Sequence, residues 1–125
     1  MVEEKDPLTE LVIGAAIEVH RIMGPGLLES IYQQCMEEEL RLRKCPVEPQ
    51  AKMPLRYKGI VLGDDLKIGL FFPGHLVVEL KAVEKILPVH EAQLLTYLRL
   101  SKTHVGLLIN FNVPVLVNGL KRMVL

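Results

Sequence analysis

From Leu8 onward, apolar residues recur at Leu11, Val12, Ala15, Ala16, Val19 and Ile22, the spacing that stripes one face of an α-helix. The pattern predicts a first helix over 8–22. Gly24-Pro25-Gly26 ends it, because proline restricts the residue before it and cannot carry a helical ladder onward. A second helical pattern starts at Leu27 and runs through Leu28, Ile31, Tyr32, Cys35 and Leu40. It carries Arg41, Arg43 and Lys44 toward its end, where cations complement the helix dipole. Beyond Pro46 the texture changes. Residues 47–57 and 60–72 hold strand-forming residues with partial alternation on either side of Lys58-Gly59, which predicts a hairpin. Pro73-Gly74 is a second turn signal, and 75–81 is a short apolar run of the length of a buried strand. After Pro88, residues 90–101 suit a third helix. Residues 105–111 read as a fourth, buried strand, and 115–117 with 120–125 as a short terminal hairpin around Asn118-Gly119. The fold class is therefore α/β, a mixed sheet flanked by helices. The crossover through the third helix should be right-handed and lay the fourth strand parallel to the third.

A chain of 125 residues has room for one core and little more, so one domain over 1–125 is the expectation. Half of the residues are hydrophobic, 24% are charged, and fifteen basic residues balance fifteen acidic ones. Disorder is excluded by that balance, and any binding of nucleic acid has to come from a local basic patch. Cys35 and Cys45 have no CxxC spacing and no signal peptide opens the chain, which fits a reducing cytoplasm. No apolar run reaches the ~20 residues that span a bilayer, so no membrane partner is expected.

Chemistry concentrates in 75–81, where Glu79 and Lys81 interrupt an otherwise oily strand. Alternation puts both on one face, with α-carbons roughly 6 to 7 Å apart. Burying either charge alone is expensive, so the two must satisfy each other, reach solvent or bind something. A strand-end ion pair is one reading. The other makes Glu79 a divalent-metal ligand and Lys81 a group that orients water or steadies a phosphoryl transition state. Glu29 and Tyr32 lie one turn apart on the second helix, where an exposed first-turn carboxylate and a half-buried ring would also account for them. Gln93 and Tyr97 share a face of the third helix and could touch a phosphate or a base, or simply pack there. His20, His75, His90 and His104 have no zinc spacing. His75 and His90 could still line a site. No glycine-rich phosphate loop is present.

Taken in order, Gly26-x-x-Glu29-x-x-Tyr32, Val78-Glu79-Leu80-Lys81, His90-Glu91-Ala92-Gln93 with Tyr97, and Gly106-Leu107-Leu108-Ile109-Asn110-Phe111 resemble the GxxExxY family over about 8–125. That family is placed in the PD-(D/E)XK nuclease superfamily. The resemblance implies a restriction-endonuclease-like αβββαβ core and magnesium-dependent hydrolysis of phosphodiesters in DNA or RNA. It makes Glu79 and Lys81 the (D/E)XK pair, Glu29 the first-helix acid, and Gln93 with Tyr97 the QxxxY of RecB-type nucleases. Glu79, Lys81, Gln93 and Tyr97 would then be the catalytic set, with Glu79 and Glu29 as magnesium ligands. One departure is serious. Related sequences carry an aspartate before the ExK strand, where Lys67-Ile68-Gly69-Leu70-Phe71-Phe72 here places Gly69. Glycine offers no carboxylate, so magnesium binding should be weak or absent. Asp65, four residues earlier, should lie roughly 13 Å away along a regular strand, and only a bulge near Gly63 or Gly69 could move an acid into place. Two functions follow: a magnesium-dependent nuclease, or a non-catalytic module of the same fold that binds nucleic acid, a protein, or a second copy of itself as a homodimer.

Overall fold

The computed structural model describes residues 6–125. Helix α1 spans Pro7–Met23. Its start lies in a signal upstream of the apolar stripe: the Asp6 carboxylate accepts from the Leu8 N–H at 3.1 Å and from the Thr9 hydroxyl at 2.7 Å, with Pro7 in the first turn. At the other end Gly24 adopts φ 71° and donates its N–H to His20 O at 2.9 Å, a conformation glycine adopts without strain. Helix α2 follows at Glu29–Leu42.

Strands β1 (Glu48–Tyr57) and β2 (Ile60–Phe72) form the expected hairpin. Lys58 and Gly59 both have positive φ, as the tight primed turn between twisted strands requires. Strand β3 (Leu76–Lys81), helix α3 (Pro88–Ser101) and strand β4 (Val105–Asn110) make the crossover unit, and β3 and β4 pair in parallel from Val77↔Gly106 to Lys81↔Asn110. Strand β5 (Leu120–Val124) returns antiparallel to β4. The five strands lie in the order β1-β2-β3-β4-β5, a mixed α/β sheet.

The expected terminal hairpin is half right. Residues Leu116–Gly119 form a 3₁₀ turn rather than a strand arm. Leu116 is buried in the cluster under α1 and α2, and Gly119 sits so tightly against the carbonyl of Asn110 that a β-carbon would collide with it. Burial of the leucine and this close approach turn the segment off the sheet, where local turn chemistry alone pointed to a strand.

Two apolar layers cover the sheet. Val12, Ala15, Ala16, Val19, Tyr32, Met36 and Leu40 of α1 and α2 pack on Leu70, Phe72, Leu76, Val78 and Leu80. On the opposite face Leu94 and Leu98 of α3 pack on Ile68, Phe71, Val77 and Leu108. Ile68 and Phe71 therefore share one layer while Leu70 and Phe72 share the other, so the alternation of β2 slips by one residue around Gly69 although its register with β1 is unbroken there; the irregularity of the hairpin lies farther out, between Pro54 and Arg56. Pairing of β2 with β3 runs only from Phe72↔Leu76 to Leu70↔Val78. The two strands part where Gly69 and Glu79 stand.

Candidate functional site

The parting of β2 and β3 opens a polar cleft of about 220 Å³, lined by Glu29 and Gln33 from α2, Gln50 from β1, Lys67 and Gly69 from β2, Glu79 and Lys81 from β3, and Gln93 and Tyr97 from α3. Both helical layers reach it because it lies at the end of the β2–β3 ladder. A strand projects alternate residues to one face, so Glu79 and Lys81 enter the cleft together while Val78 and Leu80 pack beneath α1 and α2.

Glu79 is only 8% exposed. Burial pushes its carboxyl from 4.5 up to about 7. The Gly69 N–H and the Lys81 ammonium work against that rise, and Glu29 adds to it. The Gly69 N–H lies 3.4 Å from Glu79 Oε1, a long contact that compensates little for the lost hydration. Lys81 donates from Nζ to Gln93 Oε1 at 2.9 Å, and Gln93 Nε2 donates to Tyr97 Oη at 2.9 Å. The amide thus orders lysine and phenol in one relay. Burial, and then the charge of Glu79, hold the Tyr97 hydroxyl above its ordinary pKa.

The loop after β3 is fixed by Asn110, whose Oδ1 accepts from Val83 N at 3.1 Å and whose Nδ2 donates to Val83 O at 2.9 Å. The Phe111 N–H also donates to Lys81 O at 2.9 Å. These contacts set the backbone from which Lys81 projects.

The pairing of Glu29 with Tyr32 does not form. Glu29 is exposed at the cleft mouth, whereas Tyr32 is fully buried and stacked on Phe111 with ring centroids 4.5 Å apart. Its hydroxyl donates to Gly24 O at 2.6 Å and accepts from Leu27 N at 3.1 Å, so Tyr32 pins the α1–α2 turn and sets where Glu29 emerges. Neither His75 nor His90 lines the cleft. His75 is exposed, and His90 Nδ1 caps α3 by accepting from Leu87 N at 2.9 Å.

Gln33, Gln50 and Lys67 were not singled out in the sequence. Gln33 follows Glu29 by four residues on α2, a spacing that could have identified it. Its Nε2 donates to Gly69 O and to Glu37 Oε2, each at 2.9 Å. Gln50 and Lys67 are brought in only by the hairpin register: the pairs Pro49↔Leu70 and Ala51↔Ile68 bring Gln50 abreast of Gly69.

A β-carbon added at Gly69 would lie 3.9 Å from Glu79 Oε2, 3.5 Å from Gln33 Oε1 and 3.2 Å from Val78 O. The position is aimed into the cleft, and nothing acidic takes its place. Asp65 is exposed, pairs with Pro54 well down the hairpin, and is absent from the lining. Magnesium demands several close, hard oxygen donors. The carboxylates here are Glu79, whose ionisation burial disfavours, and exposed Glu29. Among the described residues no group of three or more His, Cys, Asp or Glu could hold a metal ion. This donor set does not fit magnesium.

The description "PD-(D/E)XK nuclease superfamily" belongs to a family model that matches residues 6–123. No curated protein and no solved structure matches the chain. No helix among the described residues is long and apolar enough to cross a membrane.

Proposed function

The chain belongs to the PD-(D/E)XK nuclease superfamily, and from that premise we propose that it binds nucleic-acid phosphodiesters in the cleft without hydrolysing them. One observation carries the reading: Gly69, rather than an acid, faces Glu79 across an otherwise complete polar cleft. Membership of the GxxExxY family belongs to the same proposal, supported by Glu29, Tyr32, Glu79, Lys81, Gln93 and Tyr97 standing in the order that family shares. So does a reducing cytoplasm, where Cys35 and Cys45 would stay the free thiols they are here.

In this reading Lys81, held by Gln93, supplies a positive charge to a phosphate oxygen, and the amides of Gln33, Gln50 and Gln93 supply donors and acceptors around it. Glu79, whose carboxyl burial pushes up to about 7, can carry a proton and donate it to a phosphate oxygen instead of repelling it. Hydrolysis lacks a carboxylate at position 69, beside Glu79, to concentrate a divalent cation at the scissile bond.

The test is isothermal titration with magnesium or manganese, paired with nuclease assays on this chain and on Gly69→Asp. The added carboxyl should fit after a shift of a few tenths of an ångström at Val78 O, and the variant alone should gain metal binding and cleavage. Robust metal-dependent cleavage by the unmodified chain, lost in Glu79→Ala, would overturn the proposal.

A further inference from the structure

Beside the cleft, the β1–β2 hairpin carries a charge arrangement that no ion pair among the described residues explains. Lys52 and Lys67 are direct cross-strand partners. Such partners share a face with α-carbons about 4.5–5.5 Å apart, and like charges placed so repel. Lys67 itself lines the cleft, as do Gln50, two residues before Lys52, and Gly69, two residues after Lys67. The lysine pair therefore extends the cleft lining outward along the hairpin. Ion pairs among the described residues engage Arg21, Arg41, Arg43 and Lys121, but neither Lys52 nor Lys67. Asp65, two residues before Lys67, makes no ion pair with either. Gln50, next to this pair, is held in the left-handed region at φ 49°, and strained backbone of that kind gathers at ligand sites.

An anion bridging the two ammonium groups would offset their repulsion. Lys81 and Lys67 both line the cleft, Lys81 half-buried and Lys67 exposed, with the amides of Gln50 and Gln33 in the same lining, and exposed Lys52 stands beside Lys67 across the hairpin. Positive charges at separate stations along one groove suit an anion that repeats along a chain. We propose that Lys52 and Lys67 form a phosphate subsite for the nucleotide next to the one held at Lys81. The subsite rests on the proposed binding of phosphodiesters in the cleft, and it reads backbone rather than sequence, because lysine ammonium groups act as point charges.

Fluorescence anisotropy with labelled single- and double-stranded oligonucleotides, over a range of potassium chloride, tests it. The proteins are the full chain, Lys52→Gln, Lys67→Gln, the double variant, and Lys81→Gln as a control for the cleft. Because one phosphate bridges the pair, the double variant should flatten the slope of log affinity against log salt by about 0.7 on single strands or about 0.9 on duplex, equally for all sequences, and each single variant should flatten it by no more than that. The two probes report which form fits. Both single variants should also melt at a higher temperature, since each relieves the repulsion. If Lys81→Gln weakens binding while the hairpin variants leave the slope unchanged, the subsite falls and the cleft reading stands. If neither oligonucleotide binds the unmodified chain at low salt, both fall. Equal binding and equal slope loss with polyglutamate would overturn the assignment to phosphodiesters.

Discussion

Glu79 is the residue whose chemistry depends most on its surroundings. Its carboxyl is pushed from the ordinary 4.5 up to about 7 in the fold, chiefly by burial. A raised acid binds its proton more tightly folded than unfolded, so its stabilising contribution is complete below about pH 4.5 and is lost as pH rises through 7. The shift corresponds to roughly 3 kcal/mol at most. Urea unfolding of the unmodified chain should therefore show falling stability between pH 5 and pH 8, whereas Glu79→Gln should lack that fall and be the more stable protein at pH 8. Parallel pH profiles for the two would show that Glu79 is not held in its raised state. The same burial that makes Glu79 a poor isolated anion leaves it available to donate a proton-bearing oxygen in the cleft.

At the scale of elements, two junctions hold the cleft in shape. The α1–α2 turn is pinned by the Tyr32 hydroxyl. Tyr32→Phe keeps the stack on Phe111 but leaves Gly24 O and Leu27 N without that partner, and should destabilise the chain by about 1–3 kcal/mol in urea titrations. It should also loosen Glu29, read as faster amide exchange across 24–29. The second junction is α3 on β4. Gly106 lies under Leu94, and a β-carbon there would meet the Leu94 side chain at 2.9 Å from both Cγ and Cδ1. Leu94 is fully buried, so Gly106→Ala should push α3 outward and cost about 1–3 kcal/mol, the usual range for overpacking. Because Gln93 and Tyr97 ride on α3, oligonucleotide binding should weaken in the same variant. A thermally unaltered Gly106→Ala would mean that Leu94 repacks freely.

Across the whole molecule, one continuous sheet separates the two apolar layers, and β2, β3 and β4 each contribute side chains to both. Neither layer can dissolve without breaking strands that the other needs. Far-UV circular dichroism and thiol reactivity of half-buried Cys35 and Cys45 should therefore report one coincident unfolding transition. Two separated transitions would divide the chain into independent units. The balanced charge has a consequence at this scale too: with fifteen cations against fifteen anions, no long-range field gathers nucleic acid, and the binding proposed above would rest on the few lysines at the cleft.

Local sequence determined the three helices, the first four strands and the hairpin, because each is written in neighbouring residues: apolar positions every three to four residues, partial alternation, short apolar runs of strand length, and Lys58-Gly59 at the turn. It also put Glu79 and Lys81 on one face, since a regular strand projects residues two apart to the same side, and the four-residue step from Gln93 to Tyr97 set that pair likewise. What local spacing could not decide was everything set by contacts distant in sequence. The slip of β2 at Gly69, the approach of Gln50 and Lys67, the diversion of Tyr32 into the core and the turning of Leu116 off the sheet all follow from packing between elements far apart in the chain. Even the missing acid was legible as a letter at position 69. That its place faces Glu79 and stays unfilled was decided by the parting of β2 from β3, which no single segment encodes.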